Sequence, residues 1–127
     1  MADSLDRLFE AVIAARTADP AMSRTARLLG SGRAKMAKKV GEEAVEVVID
    51  AMNGNRDAVV RESADLLYNL VVLWVATGIH PKDVWKEMDR RERMFGIAEK
   101  VVKERDTAAR PKVAAVTMRR EYKQRRP

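Results

Sequence analysis

An all-α fold, an antiparallel helical bundle of four to five helices, follows from three features of the sequence. Apolar residues recur at helical spacing in each long segment, and no stretch alternates polar with apolar long enough to form a strand. Turn signals at Asp19-Pro20, Gly30-Ser31-Gly32, Asn53-Gly54-Asn55 and His80-Pro81 cut the chain into helix-length pieces. The run Leu66 to Val75, broken by Asn69, is apolar nearly all round, and such a helix needs cover on every side. A chain with so few helices can hardly supply that cover, so the core is expected to be completed by dimerisation.

The elements follow in order. Ser4 is the expected N-cap of a helix over roughly 5–16, with Leu5, Leu8, Phe9, Val12 and Ile13 on one face, and Asp19-Pro20 stops it. Ser23 to Leu29 forms a short helical or irregular piece. The second long helix runs from about Ala34 to Met52, its apolar face being Met36, Val40, Ala44, Val47 and Ala51. Gly41 within it costs about 1 kcal/mol against alanine, and either close approach by a backbone or ligand or a simple packing need accounts for it. Asn53-Gly54 closes that helix, and the next spans about Arg56 to Thr77 with Gly78 as C-cap. Pro81 opens a further helix, whose core side is Val84, Trp85 and Met88 and whose helicity extends toward Ile97 and Val101.

Net charge is +6 over 127 residues. Residues 1–102 hold 16 basic and 16 acidic side chains, and residues 103–127 hold 9 and 3, so the excess belongs to the end of the chain. The expected organisation is therefore a helical domain over 1–102 and a basic tail over 103–127, solvated and partly disordered. Nucleic-acid binding through that tail is the weaker reading. The absence of cysteine excludes disulfides and thiolate metal sites and fits a reducing, cytoplasmic setting. No signal peptide or membrane span is expected, since the apolar run is well short of the ~20 residues that cross a bilayer.

The chemistry lies in two acidic pairs, Glu43 with Glu46 and Glu62 with Asp65, each three residues apart and so on one helical stripe. Helices joined by the tight turn at Asn53-Gly54-Asn55 pack antiparallel, which can bring the four carboxylates together. Oxygen donors alone suit a hard cation, Mg²⁺ or Mn²⁺. The plainer reading is solvated acids paired with Lys38, Lys39 or Arg61, worth only ~0.3–0.5 kcal/mol per pair. Asp50 and Asn69 continue the two stripes, and Glu42 adjoins them. Arg24, Arg27, Arg33, Lys35, Lys38 and Lys39 precede the acids, and Ser23 and Thr25 add hydroxyls. Basic groups beside a cation site are what a polyphosphate needs. Neither a Walker loop nor a dinucleotide-binding glycine motif is present, and His80, the single histidine, reads as a cap or loop residue.

Lys35-x-x-Lys38-Lys39-Val40-Gly41-Glu42-Glu43-Ala44-x-Glu46, followed by Glu62-Ser63-Ala64-Asp65-Leu66-Leu67-Tyr68, closely resembles the phosphoribosyl-ATP pyrophosphatases of histidine biosynthesis. Ser23-x-Thr25-Ala26-Arg27-Leu28-Leu29 fits as well, and the resemblance covers about residues 5–95. These enzymes belong to the all-α, MazG-like nucleotide pyrophosphatases, marked by Glu-x-x-Glu and then Glu-x-x-Asp. The resemblance implies Mg²⁺ at Glu43, Glu46, Glu62 and Asp65, a homodimer or larger assembly, and hydrolysis of phosphoribosyl-ATP to phosphoribosyl-AMP and pyrophosphate.

On that reading a metal-activated water attacks the α-phosphorus, Glu42 or Glu46 takes its proton, and Arg24, Thr25, Arg27, Lys35, Lys38 and Lys39 are candidates to contact substrate. Two rivals stand beside it. One is a housecleaning nucleoside triphosphate pyrophosphatase with the same metal site. The other is a non-catalytic helical module that binds nucleic acid through residues 103–127.

Overall fold

The computed structural model describes residues 3–95, and the described residues form five helices and no strand. Helix α1 spans Ser4–Ala15, α2 Arg24–Gly30, α3 Arg33–Met52, α4 Arg56–Thr77 and α5 Pro81–Met94. The chain divides into two units, Met1–Val84 and Trp85–Pro127, so the boundary falls inside α5. The expected break between residues 102 and 103, the tail, and helicity at Ile97 and Val101 all lie outside the described residues.

Local chemistry fixes the helix ends. The cap of α1 is Asp3 rather than Ser4: its carboxylate accepts from the Asp6 backbone N–H at 2.9 Å. Ser4 becomes the first helical residue, its hydroxyl accepting from the Arg7 guanidinium. The helix stops at Ala15, ahead of Asp19-Pro20. Asp19 instead organises the following turn, its side chain accepting from Ala21 N–H and its carbonyl from Met22 and Ser23 N–H. Ser23 caps α2 through Ala26 N–H, and Asn55 caps α4 through Ala58 N–H. Between α3 and α4, Asn55 N–H reaches the Asp50 carbonyl and Gly54 N–H that of Ala51. Gly54 takes φ +69°, which favours a residue without Cβ.

Helix α3 packs along α4 more extensively than any other pair of helices does, and α1 covers α4 from another side. The core is built from Phe9 and Val12 of α1, Met36 of α3, and Val71, Val72 and Trp74 of α4. Val71 and Val72 are wholly enclosed. His80 sits in the loop after α4, its ring edge-on to Phe9 at 4.5 Å. Its Nδ1 accepts from the Lys82 backbone N–H, while the His80 backbone N–H donates to the Asp83 carboxylate. Asp83 thus caps the start of α5.

The all-round cover expected for α4 is incomplete within one chain. Leu67 stays 47% exposed, and Val60 on the same helix and Val48 and Met52 on α3 are exposed too. No backbone or side chain approaches Gly41 closely, contrary to that part of the expectation: a Cβ there would meet nothing within 4 Å. It faces open space.

Candidate metal centre

Helices α3 and α4 run antiparallel from the Asn53-Gly54-Asn55 turn, and Glu43 and Asp65 lie at similar distances either side of it. One carboxylate oxygen from each of Glu43, Glu62 and Asp65 lies within 4.8 Å of the others. Glu62 and Asp65 come from one stripe of α4, and Glu43 meets them from α3. Glu43 and Glu62 are partly buried, and Asp65 is exposed.

Glu43 carries the electrostatic signature of the cluster. Burial pushes its pKa up first. The hydrogen bond with Glu62 and the negative charges of Glu62 and Asp65 push it further, while Lys39 pulls it back, leaving it at about 7. A hydrogen bond between two carboxyl groups requires a shared proton, so near neutral pH like charges are being held together at a cost. Among the described residues, no ion pair joins these three acids to a base. Of the bases in the plainer expectation, Lys39 acts on Glu43 through its charge alone. Three oxygen donors facing a common point, with excess negative charge, fit a hard divalent cation.

The remaining candidates fall into place around this trio. Glu46 lies one turn along α3, exposed and outside the three-oxygen cluster. Glu42 is half-buried beside Glu43. Asp50 is also outside the cluster. Asn69 is buried and turns its amide inward, donating to the Asp65 carbonyl at 2.8 Å. Lys39 is partly buried, and Lys35, Lys38 and Arg24 are exposed. Arg27 donates to the Pro20 carbonyl at 2.8 Å, which ties α2 to the loop before it. Thr25 shares a 2.6 Å hydrogen bond with the Tyr68 hydroxyl, one turn along α4 from Asp65. Tyr68 is a site residue for which the sequence alone suggests no role. Its position three residues after Asp65 was the available signal, since that spacing places it on the acids' stripe.

Carboxylates converging from two antiparallel helices of an all-helical chain are the arrangement implied by the resemblance to the all-α nucleotide pyrophosphatases. A family model described as phosphoribosyl-ATP pyrophosphohydrolase matches residues 6–92. The chain is 70% identical over 105 residues to phosphoribosyl-ATP pyrophosphatase 2 of Rhodopseudomonas palustris, covering 83% of this chain and 80% of that protein. It is 64% identical over 118 residues to phosphoribosyl-ATP pyrophosphatase 2 of Bradyrhizobium diazoefficiens, covering 91% and 88%. With the phosphoribosyl-ATP pyrophosphatase of Gluconobacter oxydans the identity is 53% over 108 residues, covering 85% and 76%. The chain belongs to the phosphoribosyl-ATP pyrophosphatase family.

Proposed function

We propose that this protein hydrolyses phosphoribosyl-ATP to phosphoribosyl-AMP and pyrophosphate in histidine biosynthesis, with Mg²⁺, or Mn²⁺ in its place, held by Glu43, Glu62 and Asp65 and joined by Glu46. The observation that carries the site assignment is the three carboxylate oxygens within 4.8 Å of one another. When bound, such an ion neutralises phosphate oxygens and makes a coordinated water acidic enough to serve as nucleophile. The side chains do the rest. Glu42 or Glu46 accepts the proton of the water that attacks the α-phosphorus. Lys35, Lys38, Lys39 and Arg24 take up phosphate charge from the side of α3 and α2. Thr25, held by Tyr68, keeps α2 seated beside the acids, and Arg27 fixes the loop that leads into α2.

The working unit is a homodimer in this proposal. Val48 and Met52 on α3 are 61% and 82% exposed, and Val60 and Leu67 on α4 are 56% and 47% exposed. Each pair has helical spacing, so both helices present an apolar stripe to solvent. A second copy laid on that face would supply the missing cover of α4. Among the described residues no helix is long and apolar enough to cross a membrane, and cytoplasmic work on a soluble nucleotide agrees with the reading.

Pyrophosphate release from phosphoribosyl-ATP, measured with and without Mg²⁺ and beside a panel of ordinary nucleoside triphosphates, tests the proposal. The expected result is Mg²⁺-dependent release with a strong preference for phosphoribosyl-ATP. Equal turnover of free nucleoside triphosphates would move the assignment to a housecleaning enzyme.

A further inference from the structure

A cavity of about 560 Å³ opens at the other end of the helix pair, away from the α3–α4 turn. Its apolar wall includes Leu29 of α2, Met36 of α3, and Val75 and Ala76 of α4, while Arg16 and Arg33 bring two guanidinium groups to it. Both arginines are exposed, and neither side chain makes an ion pair or hydrogen bond with another described residue. The volume falls within the range of roughly 300–1,000 Å³ typical of small-molecule sites. Nothing in the proposed chemistry at the carboxylates uses this cavity.

Helix geometry relates the cavity to the carboxylates. Met36 precedes Glu43 by seven residues on α3, and Ala76 follows Asp65 by eleven on α4. At 3.6 residues per turn, each separation returns to within about 20° of the same helix face. The rise of 1.5 Å per residue places the cavity about 10 Å along α3 and about 16 Å along α4 from the acids. Helix α2 accompanies both: Thr25 bonds to Tyr68 next to Asp65, and Leu29, one turn on, lines the cavity.

A ligand reaching from one feature to the other needs a polyphosphate at the carboxylate end and another anion at the arginine end. Guanidinium groups suit phosphate oxygens, and the apolar wall suits the ring between. Phosphoribosyl-ATP is built this way, with a triphosphate on one side of the adenine and a phosphoribosyl group on the other. We infer that the cavity is the subsite for the phosphoribosyl end of the substrate, with Arg16 and Arg33 binding its phosphate monoester. This rests on the proposed function and adds the source of its selectivity: an ordinary nucleoside triphosphate has nothing to offer this pair.

The test combines equilibrium binding and steady-state kinetics on the full chain, comparing wild type with Arg16→Ala, Arg33→Ala, the double variant, and Arg33→Lys. Wild type is expected to bind phosphoribosyl-AMP at least about tenfold more tightly than AMP, as charge-assisted hydrogen bonds to a second phosphate imply. The double variant is expected to lose that preference and to raise KM for phosphoribosyl-ATP about tenfold or more, with kcat within about twofold of wild type. Arg33→Lys keeps the charge and should retain part of the preference. Circular dichroism checks folding, and the single variants, each replacing an exposed side chain, carry the test if the double variant fails to fold. A folded set with wild-type KM and an undiminished preference for phosphoribosyl-AMP would overturn this assignment while leaving the pyrophosphatase reading standing. Failure of wild type to release pyrophosphate from phosphoribosyl-ATP would overturn both.

Discussion

The two halves of α4 do opposite work. From Asn69 to Trp74 the helix is interior, with Val71 and Val72 fully enclosed and the Asn69 amide satisfied by the Asp65 carbonyl. From Arg56 to Leu67 it lies at the edge of the bundle, where Asp65, Val60 and Leu67 are all exposed. One continuous helix thus joins a packed anchor to an open platform. The anchor fixes where the acids point, and the platform leaves them accessible to a cation and a nucleotide. Full burial of a carboxylate cluster would be costlier still to ionise; here Asp65 is exposed while Glu43 and Glu62 are partly buried.

Substitutions in the two halves should separate along that line. Asp65→Asn or Glu43→Gln should cost at least about 100-fold in pyrophosphate release, more than is typical for an outer-shell partner of a metal ligand, with an unchanged circular dichroism spectrum. Full activity in either variant would remove that side chain from the essential ligands. Val72→Ala should do the reverse, lowering stability by about 2 kcal/mol in urea unfolding while kcat at low temperature stays close to wild type. Leu67→Asp should leave each chain folded and shift sedimentation from dimer to monomer. If the wild-type protein already sediments as a monomer at micromolar concentration, the platform is not a subunit interface.

A smaller effect is expected on α5. Glu87 accepts hydrogen bonds first from Arg90 and then from Arg91, which lower its pKa to about 2. A depressed carboxylate pKa contributes stability that is present above about 4.5 and fades as pH falls toward 2. The group is in contact with solvent, so screening leaves little of it. Glu87→Gln should be nearly silent in thermal unfolding at pH 7, and any difference from wild type should disappear at acid pH.

Much of this was legible in the residues. Glu43, Glu62 and Asp65 announced themselves because helical spacing and one tight turn suffice to bring them together. The apolar run after Leu66 announced the core for the same reason. What escaped depended on relations between distant segments. Nothing local distinguishes Ser4 from Asp3 as a cap, because both side chains serve and the backbone decides. The openness around Gly41 cannot be read from one helix, since it depends on what other elements leave uncovered. Arg16 gave no signal, being one arginine at a helix end. Its meaning comes from Arg33, Met36 and Ala76, which lie far from it in sequence.

The claim on which the rest depends is that Glu43, Glu62 and Asp65 hold a divalent ion, and calorimetric titration with Mg²⁺ or Mn²⁺ at pH 7 addresses it most directly. Because the Glu43 pKa lies at about 7 in the ion-free cluster, binding should expel part of a proton, giving a heat that varies with the ionisation enthalpy of the buffer. The same raised pKa means that without the ion Glu43 makes the fold progressively less stable as pH rises from about 4.5 through 7. Thermal stabilisation by the ion should therefore be larger at pH 8 than at pH 5.5. Glu43→Gln should weaken binding and abolish the proton release. Titrations of wild type without saturable heat, or identical titrations of wild type and Glu43→Gln, would contradict the account.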